Sequence, residues 1–475
     1  MSFIGRAREL EDLDRLLHVV VEGRRADQGV ALLLRGRRRV GKSRLVSEFI
    51  ARSGLPSVYF QAARGAPPGQ ELDLLAQAVA VSSLPLAAVA AGNTPSTLTA
   101  ALMLLGAALP DTPSVVVIDE VPWLLEGFAG GAGELQRAWD TVLSRKPVLL
   151  LLLGSDLSLM EQLAAADQPF HARATEMVLH PLNPVDVQRM TELEPFDAID
   201  AYLLTGGLPL IAREWRPGES AAQFFATSVD SSTSALVVAG TRVLDGEVGE
   251  TSLAHQVLRA IGGRGERTFT GIQQASRGAP LNAASLTTSL RQLQDKRIVT
   301  ADEPLSTRSG RRDRRYRIAD PALRFWLAFV EPALSEIDRG RGDLAVARFD
   351  AGYPSWRGRA VEPVVRDALE RLLPDERWPA VSAVGGWWPR NNIPEIDLVG
   401  ADRPRSADTV SLVGTVKWRQ RSPVTAAEVA ALARDAAAVP GVDVGTALVA
   451  VCPAGSRADG LAQVWDSADL LRAWP

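Results

Sequence analysis

Residues 36–43, Gly-Arg-Arg-Arg-Val-Gly-Lys-Ser, carry the first chemistry in the chain. They fit the spacing G-x-x-x-x-G-K-[ST], a phosphate-binding loop. The glycines let the backbone curl, so that the N–H groups from Gly36, Arg37, Arg38, Arg39, Val40 and Gly41 through Lys42, Ser43 and Arg44 can point at phosphate oxygens. The N-terminus of the helix directly after the loop adds positive dipole. Lys42 reaches the β- and γ-phosphates of a nucleotide, and the Ser43 hydroxyl can ligate Mg²⁺. Of 52 basic residues only Lys42, Lys146, Lys296 and Lys417 are lysines. Such a chain keeps lysine chiefly where a planar guanidinium cannot replace a compact ammonium. Lys42 is one such place and Lys417 a second.

A run of β-branched residues, Ser114-Val-Val-Val-Ile-Asp-Glu120, ends in two carboxylates. Asp119 would hold the Mg²⁺, and Glu120 would face the γ-phosphate and polarise an attacking water. Ser155 closes the apolar run that starts at Pro147. It can sense the γ-phosphate or cap the next helix. Arg173 can contact phosphate in its own chain or serve a neighbouring subunit as a finger; the plainer reading is a solvated arginine.

These groups need elements to hold them. Val30–Leu34 reads as a buried strand, and Leu45, Val46, Phe49 and Ile50 recur at helical spacing behind the loop. Strands are expected at 57–61, 114–119 and 176–180, and Pro147–Gly154 suits the centre of a parallel sheet covered on both faces. Leu10, Leu13, Leu16 and Leu17 mark an amphipathic helix before the loop. The expected fold class is α/β: a phosphate-loop parallel sheet over 1–183 and a helical lid over 184–250. A winged helix-turn-helix over 251–337 and a smaller α/β domain over 343–475 complete it. In the third segment, helices are expected at 252–261, 268–276 and from an Asn282 cap to Lys296, with strands at 297–300 and 315–318. The wing between those strands carries Arg308, Arg311, Arg312, Arg314 and Arg315, which suit a nucleic-acid backbone. The alternative is an arm used only for packing. After a linker at 339–342, a helix at 356–373, strands at 380–387, 395–399 and 411–418, a helix at 426–438, a strand at 446–452 and a helix at 460–471 are expected.

The formal net charge is −4, so basic surface has to be local. One cysteine excludes a disulfide framework and a cysteine-based metal site. No apolar run approaches a membrane span, and the opening Met1-Ser-Phe-Ile-Gly-Arg is too soon polar for a secretory signal. A cytoplasmic protein without a membrane partner is expected.

Several motifs together resemble one family. Gly5-Arg6, the Arg-rich loop, Asp119-Glu120, Gly154-Ser155, Gly206-Gly207-Leu208-Pro209 and Ile318-x-Asp-Pro-x-x-Arg-Phe-Trp326 look like the archaeal-type ATPases of the STAND (signal-transducing) and AAA-like divisions of phosphate-loop proteins. The resemblance implies ATP and Mg²⁺ as cofactors, Gly5 and Arg6 on the adenine side, and Pro209 in a turn that couples the nucleotide domain to the domain after it. It also implies a C-terminal domain similar to PD-(D/E)XK nucleases. Carried over, Glu362 is the helix acid, Asp397 the strand metal ligand and Lys417 the lysine. Thr415 stands where the pattern wants Glu, and a hydroxyl is a poor replacement; Glu395, two residues before Asp397, shares its strand face. Three functions are expected in turn. An ATPase coupled to nucleic acid, DNA more than RNA, comes first. The others are a signalling switch that forms homo-oligomers with ATP and binds a protein, and an active Mg²⁺-dependent nuclease. Trp387, Trp388 and Trp418 can stack bases or pack.

Overall fold

The computed structural model describes residues 3–23, 29–155, 157–165, 170–247, 253–275, 281–308 and 313–474. Arg311 and Arg312 lie outside the described residues, as do 248–252 and 276–280 at the expected helix ends. The chain divides into two compact units, Met1–Pro181 and Leu182–Pro475.

Five strands build the first unit: β1 (Val30–Arg35), β2 (Ser57–Gln61), β3 (Ser114–Asp119), β4 (Val148–Gly154) and β5 (Ala174–Val178). All pair in parallel, in the order β2-β3-β4-β1-β5. The leucines of β4 take the centre because every residue of that strand is buried and no polar side chain has to be hydrated there. Each such leucine contributes about 2 kcal/mol of burial. β1 and β3 flank β4, with Leu34 opposite Leu153 and Ile118 opposite Leu152. Parallel direction sends the C-terminal ends of all five strands to one edge. That edge receives the loop after β1, Asp119-Glu120 after β3 and Gly154-Ser155 in β4 and just beyond it. Helices Ala7–Glu22 and Lys42–Ser53 are present as expected.

The second unit opens with short helices between Pro184 and Glu247. Helices Leu253–Ile261, Phe269–Ala275 and Ala283–Asp295 come next, and Asn282 caps the last, its Oδ1 accepting from the Ala284 N–H at 2.8 Å. Beside them lies a three-stranded antiparallel sheet, β6 (Arg267–Thr268), β7 (Val299–Asp302) and β8 (Arg315–Ile318), in the order β6-β8-β7. Two strands are expected from the sequence; the third, β6, is two residues long, too short for an alternation signal. Phe225, Phe325, Phe329, Phe349 and Trp356 stack and tilt against one another in the core of this unit. The motifs 206–209 and 318–326 meet there: a Cβ on Gly206 would lie 2.7 Å from the Ala322 nitrogen and 3.1 Å from the Asp320 carboxylate.

The chain ends in a second sheet, β9 (Ala383–Trp387), β10 (Ile396–Ala401), β11 (Val410–Val416), β12 (Ala447–Val451) and β13 (Gln463–Trp465), in the order β13-β12-β11-β10-β9. β9, β10 and β11 are antiparallel; β11, β12 and β13 are parallel. Two expectations are corrected. One helix, Gly342–Leu372, runs from the expected linker and carries Pro354 and Pro363 inside it. Residues 460–471 are not one helix, because Gln463–Trp465 satisfies its backbone against β12 and only Ser467–Leu471, capped by Asp466, turns helical.

Candidate nucleotide-binding site and a second acidic cluster

The phosphate loop is built by backbone conformation. Arg39 and Gly41 have φ of 69° and 98°, which turns successive amides toward the inside of the loop. Gly36 cannot be larger, since a Cβ there would sit 2.5 Å from the Leu179 carbonyl oxygen. The Lys42 ammonium is buried inside the curl and donates to the carbonyls of Gly36 at 2.7 Å and Arg37 at 3.2 Å. Val40 is buried beneath the loop, and Arg44 is exposed on the helix behind it.

Across the sheet edge, Asp119 Oδ2 accepts from Ser43 Oγ at 2.6 Å and from the Tyr59 hydroxyl at 2.5 Å. Its Oδ1 accepts from the Glu120 N–H at 2.9 Å. Burial, reinforced by the bond to Asp119, pushes the Tyr59 hydroxyl well above its usual range. Two hard oxygen donors, Ser43 and Asp119, thus converge from the helix after β1 and from β3, and this donor set fits Mg²⁺. Glu120 has φ of 54°. Its carboxylate accepts from the Ser155 hydroxyl at 2.9 Å and the Ser155 N–H at 3.2 Å. Arg38 lies over the Trp123 ring at 5.6 Å, with Nε 3.5 Å from Ser155 Oγ. Ser155 therefore lies between the loop arginine and the acid.

Gly5 and Arg6 form a left-handed turn with φ of 75° and 66°. Arg6 donates to the Val40 carbonyl at 2.9 Å and to Glu9 at 2.9 Å, which ties the N-terminal turn to the loop. Arg173 makes a two-pronged, exposed pair with Asp140, at 2.8 and 3.0 Å. The Asp140 carboxylate beside it keeps the charge of both groups.

The second unit brings Glu362 and Asp397 together, but around a guanidinium. Arg366, one helical turn from Glu362, donates Nη2 to that carboxylate at 3.0 Å and Nε to the Asp397 carbonyl at 2.9 Å. Asp397 Oδ2 is taken by Thr415 Oγ1 and the Val416 N–H, each at 2.8 Å. Burial pushes Glu362 up to about 7, Arg366 opposing and Asp397 adding to the rise. Lys417 comes directly after β11, half-exposed, with its backbone N–H on Val451. Among the described residues no three His, Cys, Asp or Glu are grouped to hold a metal ion. Arg366 thus engages one oxygen of Glu362, and Thr415 with the Val416 amide engages one oxygen of Asp397.

Two of the wing arginines are engaged within the fold. Arg314 pairs with Glu303. Arg315 is 9% exposed; it stacks 4.1 Å from the Trp388 ring centroid and bonds Glu395 and, at 2.8 Å, Asn392. Glu303 and Glu395 engage these two guanidinium groups once the strands and loops have packed. Arg308 is exposed. Trp387, Trp388 and Trp418 are all buried, so they pack rather than stack bases. Trp418 stacks on Phe196 at 5.2 Å and donates to Asp200 at 3.0 Å. Pro209 opens the helix Pro209–Ala212.

A family described as archaeal and bacterial proteins of unknown function, DUF234, matches residues 326–429. That segment contains Glu362, Arg366, Asp397, Thr415 and Lys417. The chain is 23% identical over 316 residues to an uncharacterised protein, MJECL04, of Methanocaldococcus jannaschii, covering 64% of this chain and 67% of that one. It is similar to the Walker-type ATPase PABY2304 of Pyrococcus abyssi, 20% identical with a TM-score of 0.48, over 68% of this chain and 96% of that one. It is also similar to the ORC2 protein of Aeropyrum pernix, 16% identical with a TM-score of 0.44, over 72% and 95%. No helix among the described residues is long and apolar enough to cross a membrane.

Two residues of these sites escaped the sequence reading. Tyr59 lies on β2, two residues before the register partner of Asp119; nothing local marks it, because its role depends on β2 pairing with β3. Arg366 had a signal, the acid-to-arginine spacing of four residues on one helix.

Proposed function

We propose that the first unit binds and hydrolyses ATP with Mg²⁺, and that the second couples its state to nucleic acid, which it binds without cutting. The observation that carries the first part is the convergence of Ser43 and Asp119 to 2.6 Å from elements far apart in sequence, beside the buried Lys42 ammonium. Loop amides and Lys42 would hold the phosphates; Arg6, tied to the loop, would border the base. Ser43 and Asp119 are the residues that would hold Mg²⁺, which supplies neutralisation of phosphate charge when bound. Glu120 would orient and polarise water, and Ser155 positions its carboxylate until then.

Three helices beside a small antiparallel sheet support reading 253–318 as a winged helix. Thr415 and the Arg366 guanidinium support binding over cleavage. The signalling reading is favoured by one observation, the pairing of Arg314 and Arg315 with Glu303 and Glu395, which suits a protein partner as well. ATP turnover measured with and without DNA and RNA across salt tests the proposal. Stimulation by nucleic acid that weakens steeply with salt supports coupling. Absence of turnover refutes the first part. ATP-driven oligomerisation with no nucleic-acid effect replaces the second by the signalling switch.

A further inference from the structure

A cavity of about 610 Å³ opens in the second unit between β7 and β8, the helix Gly342–Leu372 and β9. Sites for small organic ligands have volumes of roughly 300–1,000 Å³. Three arginines reach its wall from elements far apart in sequence: Arg317 from β8, Arg366 from the helix and Arg405 from the loop between β10 and β11. Arg317 commits only Nε, to Asp302 at 2.6 Å, and Arg366 commits Nε and Nη2. Both Nη groups of Arg317 and Nη1 of Arg366 have no hydrogen-bond partner among the described residues. Arg405 is exposed and holds a left-handed φ of 72°, a conformation that costs a residue other than glycine about 1–3 kcal/mol.

The charges around the cavity do not balance. Arg314, Arg317 and Arg366 each have an acid, Glu303, Asp302 and Glu362, and Asp367 has Arg371. Among the described residues Arg405 has no acid, and neither has Arg324, which shares with Arg317 the wall of a smaller space. Arg324 is 4% exposed, and its Nε has no hydrogen-bond partner. Burial, and after it the Arg317 charge, push this guanidinium down to about 10. Of the acids lining the cavity, the exposed Glu370 alone has no arginine among the described residues. Two unmatched cations against one unmatched anion, held beside further guanidinium groups, make a field that favours an anion. β9 adds Gly385 and Gly386 to the wall. A Cβ on Gly386 would lie 2.7 Å from Arg366 Nη2, so glycine lets that guanidinium approach the strand closely.

We infer that this cavity binds a small organic phosphate monoester, its phosphate held by Arg317, Arg366 and Arg405. Phosphate suits the wall better than carboxylate for two reasons. A monoester carries a charge of about −1.5 to −2 at pH 7, which answers both unmatched guanidinium groups. Its oxygens also accept from several forks at once, and planar forks match phosphate geometry. The cavity is larger than a phosphate ion, and Glu370 and Gln294 on its wall can bond hydroxyl groups of the remainder. Sugar phosphates and nucleoside monophosphates share this chemistry. Every lining residue belongs to the second unit. An occupant would therefore tie β8 to the helix Gly342–Leu372 and to the sheet that follows it.

The test is titration calorimetry of the full chain with ribose 5-phosphate, AMP, ribose and inorganic phosphate. At least one of the two esters should bind and ribose should not; inorganic phosphate should bind about tenfold more weakly than the better ester, for want of the hydroxyl contacts. The order of the two esters tells a sugar phosphate from a nucleotide. Arg317→Ala should weaken ester binding by about ten- to a hundredfold, and Arg405→Ala, which removes an exposed side chain, by about three- to tenfold. Arg434→Ala, exposed on another helix, should stay within about twofold of the unaltered chain. Binding of a fluorescent ATP analogue should be unchanged in all three variants, which separates the cavity from the phosphate loop. If neither ester binds at millimolar concentration, or if Arg317→Ala and Arg405→Ala bind it as tightly as the unaltered chain, the site is overturned. Equal affinity for inorganic phosphate and the esters overturns the organic ligand. Parallel loss of the ATP analogue in these variants assigns the ester to the phosphate loop and overturns the cavity.

Discussion

Replacing Arg315 by Ala separates a structural arginine from a phosphate-binding one. Its guanidinium lies 4.1 Å above Trp388 and bonds Glu395 and Asn392, with Glu266 at 3.6 Å. A desolvated cation–π contact is worth about 1–2 kcal/mol. A charge-assisted hydrogen bond adds about 1.5–3 kcal/mol. Glu395 is 37% exposed and can rehydrate when its partner leaves, so the lower end of that range applies and the sum is about 3 kcal/mol. With a urea slope of about 3 kcal/mol per molar for a unit of this size, the midpoint falls by about 1 M. The assay is urea unfolding followed by tryptophan fluorescence, to which Trp388 contributes as one of eleven tryptophans. Arg315→Lys should recover less than half of the loss, since an ammonium neither stacks as a plane nor forks between two acceptors. An unmoved midpoint together with weakened nucleic-acid binding would refute the reasoning and restore Arg315 to the role its place in the basic wing suggests.

Three further outcomes are expected from the geometry. Glu120→Gln should lower ATP turnover by about 10²–10⁴-fold with nucleotide binding retained; an equal loss of binding would show that the acid acts on the fold and not on water. Tyr59→Phe removes one of the two hydroxyls on Asp119 Oδ2, so half-saturating Mg²⁺ for binding a fluorescent ATP analogue should rise about three- to tenfold. An unchanged Mg²⁺ titration makes Tyr59 a bystander. Burial pushes Asp200 from its ordinary 3.8 up to about 6, with Arg357 and Trp418 opposing. Between those values the folded form holds the extra proton, so stability falls as pH rises through that window, by up to about 3 kcal/mol. Urea midpoints at several pH values should show a slope in the unaltered chain that Asp200→Asn flattens; equal slopes would sink this assignment.

Much of the first unit was legible because its chemistry is local. Eight consecutive residues make the loop, two consecutive carboxylates end β3, and the all-apolar β4 can only lie at the centre of a covered sheet. Asn282 signalled its cap in the same way. The second unit was legible in order but not in outcome. Helix spacing relates Arg366 to Glu362, yet it does not show that the same guanidinium reaches the Asp397 carbonyl across to β10. The short strands β6 and β13 left no pattern and exist because a neighbouring strand had open hydrogen-bonding groups.

The sequence by itself determined where the glycine-rich loop, its lysine and the paired carboxylates after β3 arise, since those depend on backbone conformation and residue type within a few positions. Only the tertiary structure decided which charges remain available. Arg314 and Arg315 looked like solvated cations in the chain, but their acids, Glu303 and Glu395, stand 11 and 80 residues away and close on them only when the strands and loops of the second unit pack. A charge is free or spent according to what lies within a few ångströms, and that distance is a property of the fold.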